Sequence, residues 1–87
     1  MDMFSIEYSK QSLKSLATIP ANTAILIQSK IVQLAADPFA QNNNVKKLEG
    51  RPGYRLRVGS WRVIYEIQET RIVIYVLAIA PRGGIYR

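Results

Sequence analysis

The segment that most limits how this chain can fold runs from Tyr54 to Ile67. Tyr54, Leu56 and Val58 alternate with Arg55 and Arg57; Gly59-Ser60 then interrupts, and Trp61, Val63, Tyr65 and Ile67 alternate with Arg62, Ile64 and Glu66. A period of two on either side of a two-residue Gly-Ser break is the pattern of a β-hairpin with one buried face. With Gly59 and Ser60 as the turn, Val58 faces Trp61, Leu56 faces Val63 and Tyr54 faces Tyr65, so one face is wholly apolar or aromatic. The same register sets Arg57 directly across from Arg62, with Arg55 two residues farther along that face. Like charges opposed across a ladder are destabilising, so folding stability does not explain them and a bound anion would. A slip of one residue would send every one of these side chains to the other face.

The rest of the chain supplies what such a hairpin packs against. Phe4, Ile6 and Tyr8 alternate with Ser5 and Glu7 as in a short strand. Ser9 is suited to cap a helix running to about Leu16, with Leu13, Leu16 and Ala17 on its apolar face. Pro20 opens a second, longer helix in which Ala24, Ile27, Ile31, Leu34 and Ala35 recur at helical spacing, and Asp37-Pro38 ends it. The Gln-Asn-Asn-Asn stretch at 41–44 reads as a loop. After the hairpin, a turn at Glu69-Thr70 leads to a third strand from Arg71 to about Ile79, which completes an antiparallel meander. The expected fold is a single α+β domain over residues 1–87: a small antiparallel sheet with a helical hairpin packed on one face, in the order β-α-α-β-β-β.

Composition removes whole classes of function. The 87 residues include no Cys and no His, so there is no thiolate nucleophile, no imidazole base, no disulfide and no zinc site of the usual ligands. No metal or cofactor is expected. The start carries Asp2 where a secretory signal has basic residues, and the apolar run from Ile72 to Ala80 is far shorter than the roughly 20 residues of a membrane helix; a cytoplasmic protein is expected. The net charge of +6 falls entirely in residues 45–87, the first half being neutral. Arg dominates the cations there, and its planar fork matches phosphate, so a polyanion is the natural partner. Past the last strand, Pro81 stops the ladder and Gly83-Gly84 lets the chain fold back, which would bring Arg82 and Tyr86 toward the arginine face.

Val45-Lys46-Lys47-Leu48-Glu49-Gly50, Gly53-Tyr54-Arg55-Leu56-Arg57-Val58-Gly59, Trp61-Arg62-Val63-Ile64-Tyr65 and Pro81-Arg82 with Ile85-Tyr86 together resemble the RelE/ParE superfamily of type II toxins, most of all its RelE branch. That resemblance covers essentially the whole chain. It implies a ribosome-dependent, metal-independent endoribonuclease that cuts mRNA in the ribosomal A site and is silenced by a cognate antitoxin. Carried over by position, it implies catalytic roles for Arg55, Arg57, Arg62, Arg82 and Tyr86, with Lys46 and Lys47 on the RNA backbone. Many relatives have His immediately before the position of Arg82, or a Glu and His acid-base pair; this chain has Pro81 there, and Asn where the Glu would fall. Arg55 and Arg57 stand where relatives often have Lys, and arginine does not give up its proton. Two alternatives of the same fold stand beside the ribonuclease: a ParE-like gyrase poison, and a non-catalytic module that binds RNA or a partner.

An antitoxin segment is also expected on a patch of Val73, Tyr75 and Leu77, on the sheet face away from the helices, because a small monomer gains nothing from leaving such a patch wet.

Overall fold

The computed structural model describes residues 3–82. The elements are β1 (Ser5–Tyr8), α1 (Lys10–Thr18), α2 (Ala21–Ala36), β2 (Val45–Lys47), β3 (Tyr54–Val58), β4 (Trp61–Gln68) and β5 (Val73–Pro81). The α+β class and the helical hairpin on one face are as the sequence predicts, with two additions. Val45–Lys47 is a strand in its own right, antiparallel to β3, and β1 joins β5 in parallel, so the sheet is mixed and five-stranded in the order β1-β5-β4-β3-β2. The chain leaves β1 at one edge, crosses the sheet through α1 and α2, and re-enters at the opposite edge.

The hairpin register is the one the alternation dictates: Val58↔Trp61, Arg57↔Arg62, Leu56↔Val63 and Tyr54↔Tyr65. The apolar face meets α2. Ile27, Ile31, Leu34 and Ala35 pack on Leu56, Val58, Val63, Tyr65, Ile74, Val76 and Ile79 in one cluster. Full burial of each branched side chain contributes on the order of 1.5–3 kcal/mol, so this face holds the domain together.

Helix α1 is rotated from the phase the sequence suggests. Leu13 is 53% exposed and Ser12 is fully buried. The cause lies in β5, where Ile64 pairs with Ala78 but Tyr65 pairs with Val76, leaving Leu77 as the extra residue of a β-bulge. The Ser9 hydroxyl, 2.7 Å from the Leu77 carbonyl, satisfies that carbonyl, and it also accepts from the Ser12 N–H as the helix N-cap. The Ser12 hydroxyl lies 2.9 Å from the Ser9 carbonyl and 3.2 Å from the Val76 carbonyl. Hydrogen bonding at the bulge therefore fixes the rotation of α1, and Leu13 is left outside.

Helix α2 stops where proline forces it to. Asp37 adopts an extended φ of −156° before Pro38, which disfavours helix at the preceding residue. The turn into β5 occupies residues 69–72 and holds Ile72 at φ +54°, a left-handed conformation that β-branched residues rarely adopt. Arg71 ties this turn to Glu7 of β1 and to Gln68 of β4 with bonds of 2.8 Å each. The strand thus starts at Val73, two residues later than the sequence suggests. Val73 and Tyr75 do sit on the face away from the helices, opposite Gln68 and Glu66. Val73 is 5% exposed, however, and Tyr75 and Leu77 are half-buried, so the expected open apolar patch is mostly closed.

Candidate functional site

The face of the sheet turned away from the helices carries the cations in two rows. Lys46 of β2, Arg55 of β3 and Ile64 of β4 lie in register across one row. Arg57, Arg62 and Ala80 form the next. The arrangement follows from alternation alone, since residues 55, 57, 62 and 64 are the outward set of a hairpin whose inward set is apolar. Lys46 and Lys47 are fixed in an edge strand opposite Arg55 and Tyr54.

A cavity of about 230 Å³ opens between these rows, and its described lining is Asn43, Asn44, Lys46, Arg55, Arg57 and Arg62. Four are cations and none is acidic. Arg57 is exposed and anchored: its N–H donates to the Asn44 carbonyl at 2.8 Å, and its guanidinium donates to Asn44 Oδ1 at 3.3 Å. Arg62 is different. It is only 9% exposed, and its hydrogen-bond acceptor among the described residues is the Trp61 carbonyl at 3.3 Å, with no carboxylate partner. Removing a guanidinium from water without a counter-charge is costly, so an anion entering this cavity would be favoured by it.

Asn44 escaped the sequence reading, which treated 41–44 as a loop and nothing more. The loop is ordered locally: Asn42 Oδ1 accepts from the Asn44 N–H at 2.9 Å, and the Val45 N–H donates to the Asn42 carbonyl. This turn delivers Asn44 to Arg57, and its signal in the sequence is an Asx-turn residue directly ahead of a strand. Arg82 lies just beyond β5, its N–H donating to the Ser60 carbonyl at 2.8 Å. That bond ties it to the end of the sheet where the β3–β4 turn lies, but Arg82 is not part of the described cavity wall. Tyr86 lies outside the described residues.

The arrangement can grip a phosphodiester and stabilise added charge on it, but it has no neutral base of ordinary basicity among the described lining residues. Among the described residues there is also no group of three or more Asp or Glu side chains placed to hold a metal ion. No described helix is long and apolar enough to cross a membrane.

Residues 6–86 match the model of the ParE toxin family of type II toxin–antitoxin systems. A candidate toxin of Methanocaldococcus jannaschii named RelE1 is 29% identical over 86 residues, covering 97% of this chain and 96% of that one. Among solved structures, the RelE–RelB complex of Pyrococcus horikoshii contains a chain that is 30% identical, superimposes with a TM-score of 0.79, and is covered over 99% of its length by 95% of this chain. A doubly substituted Escherichia coli RelE toxin in the free state shares the fold at a TM-score of 0.80 and 17% identity, with 97% of this chain and 88% of that one covered. With a family match over nearly the whole length and a 30% identical Pyrococcus relative of the same fold, the chain belongs to the RelE/ParE superfamily of type II toxin–antitoxin toxins.

Proposed function

We propose that this toxin is a ribosome-dependent, metal-independent endoribonuclease that cleaves mRNA through the RNA's own 2′-hydroxyl. The observation that supports this most is Arg62, a nearly buried arginine with no carboxylate partner among the described residues, facing Arg57 in a cavity lined by two further cations. In the reaction the 2′-oxygen forms a bond to phosphorus and the bond to the 5′-oxygen breaks, leaving a 2′,3′-cyclic phosphate and a 5′-hydroxyl. The phosphorane between them carries more negative charge than the diester. Fixed guanidinium groups in a partly dry cleft therefore favour it over the ground state.

Arg57 and Arg62 grip the scissile phosphate, and Arg55, in the adjoining row, is assigned to the 2′-oxygen side. Arg82, just beyond β5 and tied to the Ser60 carbonyl, is assigned to the leaving 5′-oxygen, and Tyr86 to orienting a base. Lys46 and Lys47 contact the RNA backbone. Arginine cannot accept the 2′-proton, so this site works by charge and position, and the ribosome holding the mRNA supplies further positioning.

Solved relatives are RelE–RelB toxin–antitoxin complexes, which supports a cognate antitoxin for this chain. An acidic or amphipathic helix, disordered until bound, would set carboxylates on Arg57, Arg62 or Arg82.

Single-turnover cleavage on programmed ribosomes at saturating toxin tests the assignment. Arg62→Ala should lower the rate by about 10²–10³-fold with little change in ribosome binding, as for loss of one donor to a developing charge. Lys46→Ala should weaken binding in a salt-dependent way and leave the saturated rate nearly intact. An Arg62→Ala protein that cuts at the wild-type rate once saturated makes Arg62 a docking residue. The match to the ParE family model favours one second reading, a gyrase poison. Induction that produces gyrase-linked DNA breaks while transcripts stay whole would establish that reading instead.

A further inference from the structure

A second cavity, of about 420 Å³, borders the arginine cavity and shares Lys46 and Arg55 with it. These two residues are cross-strand partners, so a cationic wall one residue pair thick divides the two spaces. Ile64 and Leu48 are the apolar residues in the larger cavity's described lining. Ile64 is only 2% exposed although it lies on the sheet face away from the helices and outside the main core cluster. Arg51 and Glu49 complete the rim. This is a built space rather than a chance dent. The Leu48 N–H donates to the Gly53 carbonyl at 3.1 Å, closing the loop between β2 and β3. Gly53, at φ +109°, brings that loop so close to β4 that a Cβ there would stand 2.9 Å from the Tyr65 carbonyl oxygen and 3.5 Å from Leu48 Cδ1.

Building on the ribonuclease reading, we infer that this cavity is a nucleobase subsite for the nucleotide adjoining the scissile phosphate. Three features favour a base over other occupants. Two branched aliphatic side chains in the lining, Leu48 and Ile64, suit contact with a flat heterocycle, and the volume lies in the range of small-molecule sites. The wall shared with the phosphate cavity means that a ligand held at Arg57 reaches its next unit at Arg55, two strand residues or about 6.8 Å away. Among the described lining residues the one carboxylate is Glu49, on an otherwise cationic rim, where it accepts from the amino or imino N–H of a base edge, as Asp and Glu do in base recognition. A purely anionic ligand would be drawn by Lys46, Lys47, Arg51 and Arg55 but would gain nothing from Ile64, Leu48 or Glu49.

The test uses the full chain with labelled Ile and Leu methyl groups and labelled Arg Nε, titrated with three probes. They are inorganic phosphate, a 2′-O-methylated trinucleotide that cannot be cleaved, and the same trinucleotide made abasic at its 5′ or at its 3′ nucleotide. Inorganic phosphate should move Arg62 Nε and leave the methyl groups of Ile64 and Leu48 in place. The trinucleotide should move both sets, and the methyl response should vanish with one of the two abasic forms only. Leu48→Ala should weaken trinucleotide binding about tenfold, the size of effect expected when methyl groups are lost from an apolar base pocket, with phosphate affinity unchanged. If Arg62 Nε responds to the trinucleotide while both methyl groups stay still, the base subsite is wrong and the phosphate grip stands. If neither set responds, the phosphate grip falls and the subsite falls with it.

Discussion

Tyr65 is a testable weak point at the centre of the sheet. Its ring is fully buried and stacked on Tyr54 with centroids 5.5 Å apart, yet its hydroxyl has no hydrogen-bond partner among the described residues. A buried, unsatisfied hydroxyl costs about 1–3 kcal/mol relative to water. Tyr65→Phe removes that cost and leaves a gap about the size of one oxygen atom, for which a penalty of a few tenths of a kcal/mol is expected at the usual cost per unit of cavity volume. The net expectation is a gain of about 1–2 kcal/mol by urea titration. The melting midpoint should rise by about 4–8 °C for each kcal/mol in a domain of this size. The same residue shapes the alkaline limb. Burial, and secondarily the Tyr54 phenol beside it, push the Tyr65 phenol well above its ordinary value near 10. A phenol whose pKa is raised on folding contributes stability that is intact below the unfolded value and is lost as pH climbs from there toward the folded one. Wild-type stability should therefore fall above pH 10 by up to about 1.4 kcal/mol per pH unit from this group. Tyr65→Phe should flatten that limb without abolishing it, because burial also raises Tyr8. If Tyr65→Phe loses 1 kcal/mol or more at pH 7, the hydroxyl has a partner, such as an enclosed water, and the reasoning fails.

The opposed arginines predict a trade of stability for function: Arg57→Gln should stabilise the fold by a few tenths of a kcal/mol in low salt, the gain shrinking as salt screens it, and should lower cleavage. Equal stability together with full cleavage would argue that the pair is idle. Ser12→Ala removes the buried hydroxyl that joins α1 to the Val76 carbonyl, and should cost about 1–2 kcal/mol by chemical denaturation, against little change for Leu13→Ala on the exposed side of the same helix. Ile72→Gly relieves a β-branched residue held at φ +54°, a strain of about 1–2 kcal/mol that is partly offset by glycine's greater freedom when unfolded. A net gain of about 0.5–1 kcal/mol in the unfolding midpoint is expected, and a loss would mean that the half-exposed Ile72 side chain matters more than its backbone.

The hairpin and the Arg57–Arg62 pair were legible in the sequence because both are local. Alternation fixes which side chains share a face, and a two-residue turn fixes which residues lie opposite. The helix limits were legible for the same reason, written in Ser9, Pro20 and Asp37-Pro38. Pairings between distant segments were not. Val45–Lys47 has no apolar alternation of its own and is a strand only because β3 offers an unpaired edge to it. The parallel union of β1 with β5 joins segments more than sixty residues apart. The Leu77 bulge, invisible as a pattern, decides the rotation of α1 by presenting carbonyls to Ser9 and Ser12, and so overrides the apolar spacing that pointed to Leu13. The candidate site divides along the same line. Its cations can be read from a period of two, whereas the burial of Arg62, the Asn44 anchor on Arg57 and the Ile64-lined cavity beside them exist only once the loops before β2 and β3 have closed against the sheet. Alternation acts within one strand, but burial belongs to whatever is folded over it, and no local stretch of sequence contains both partners.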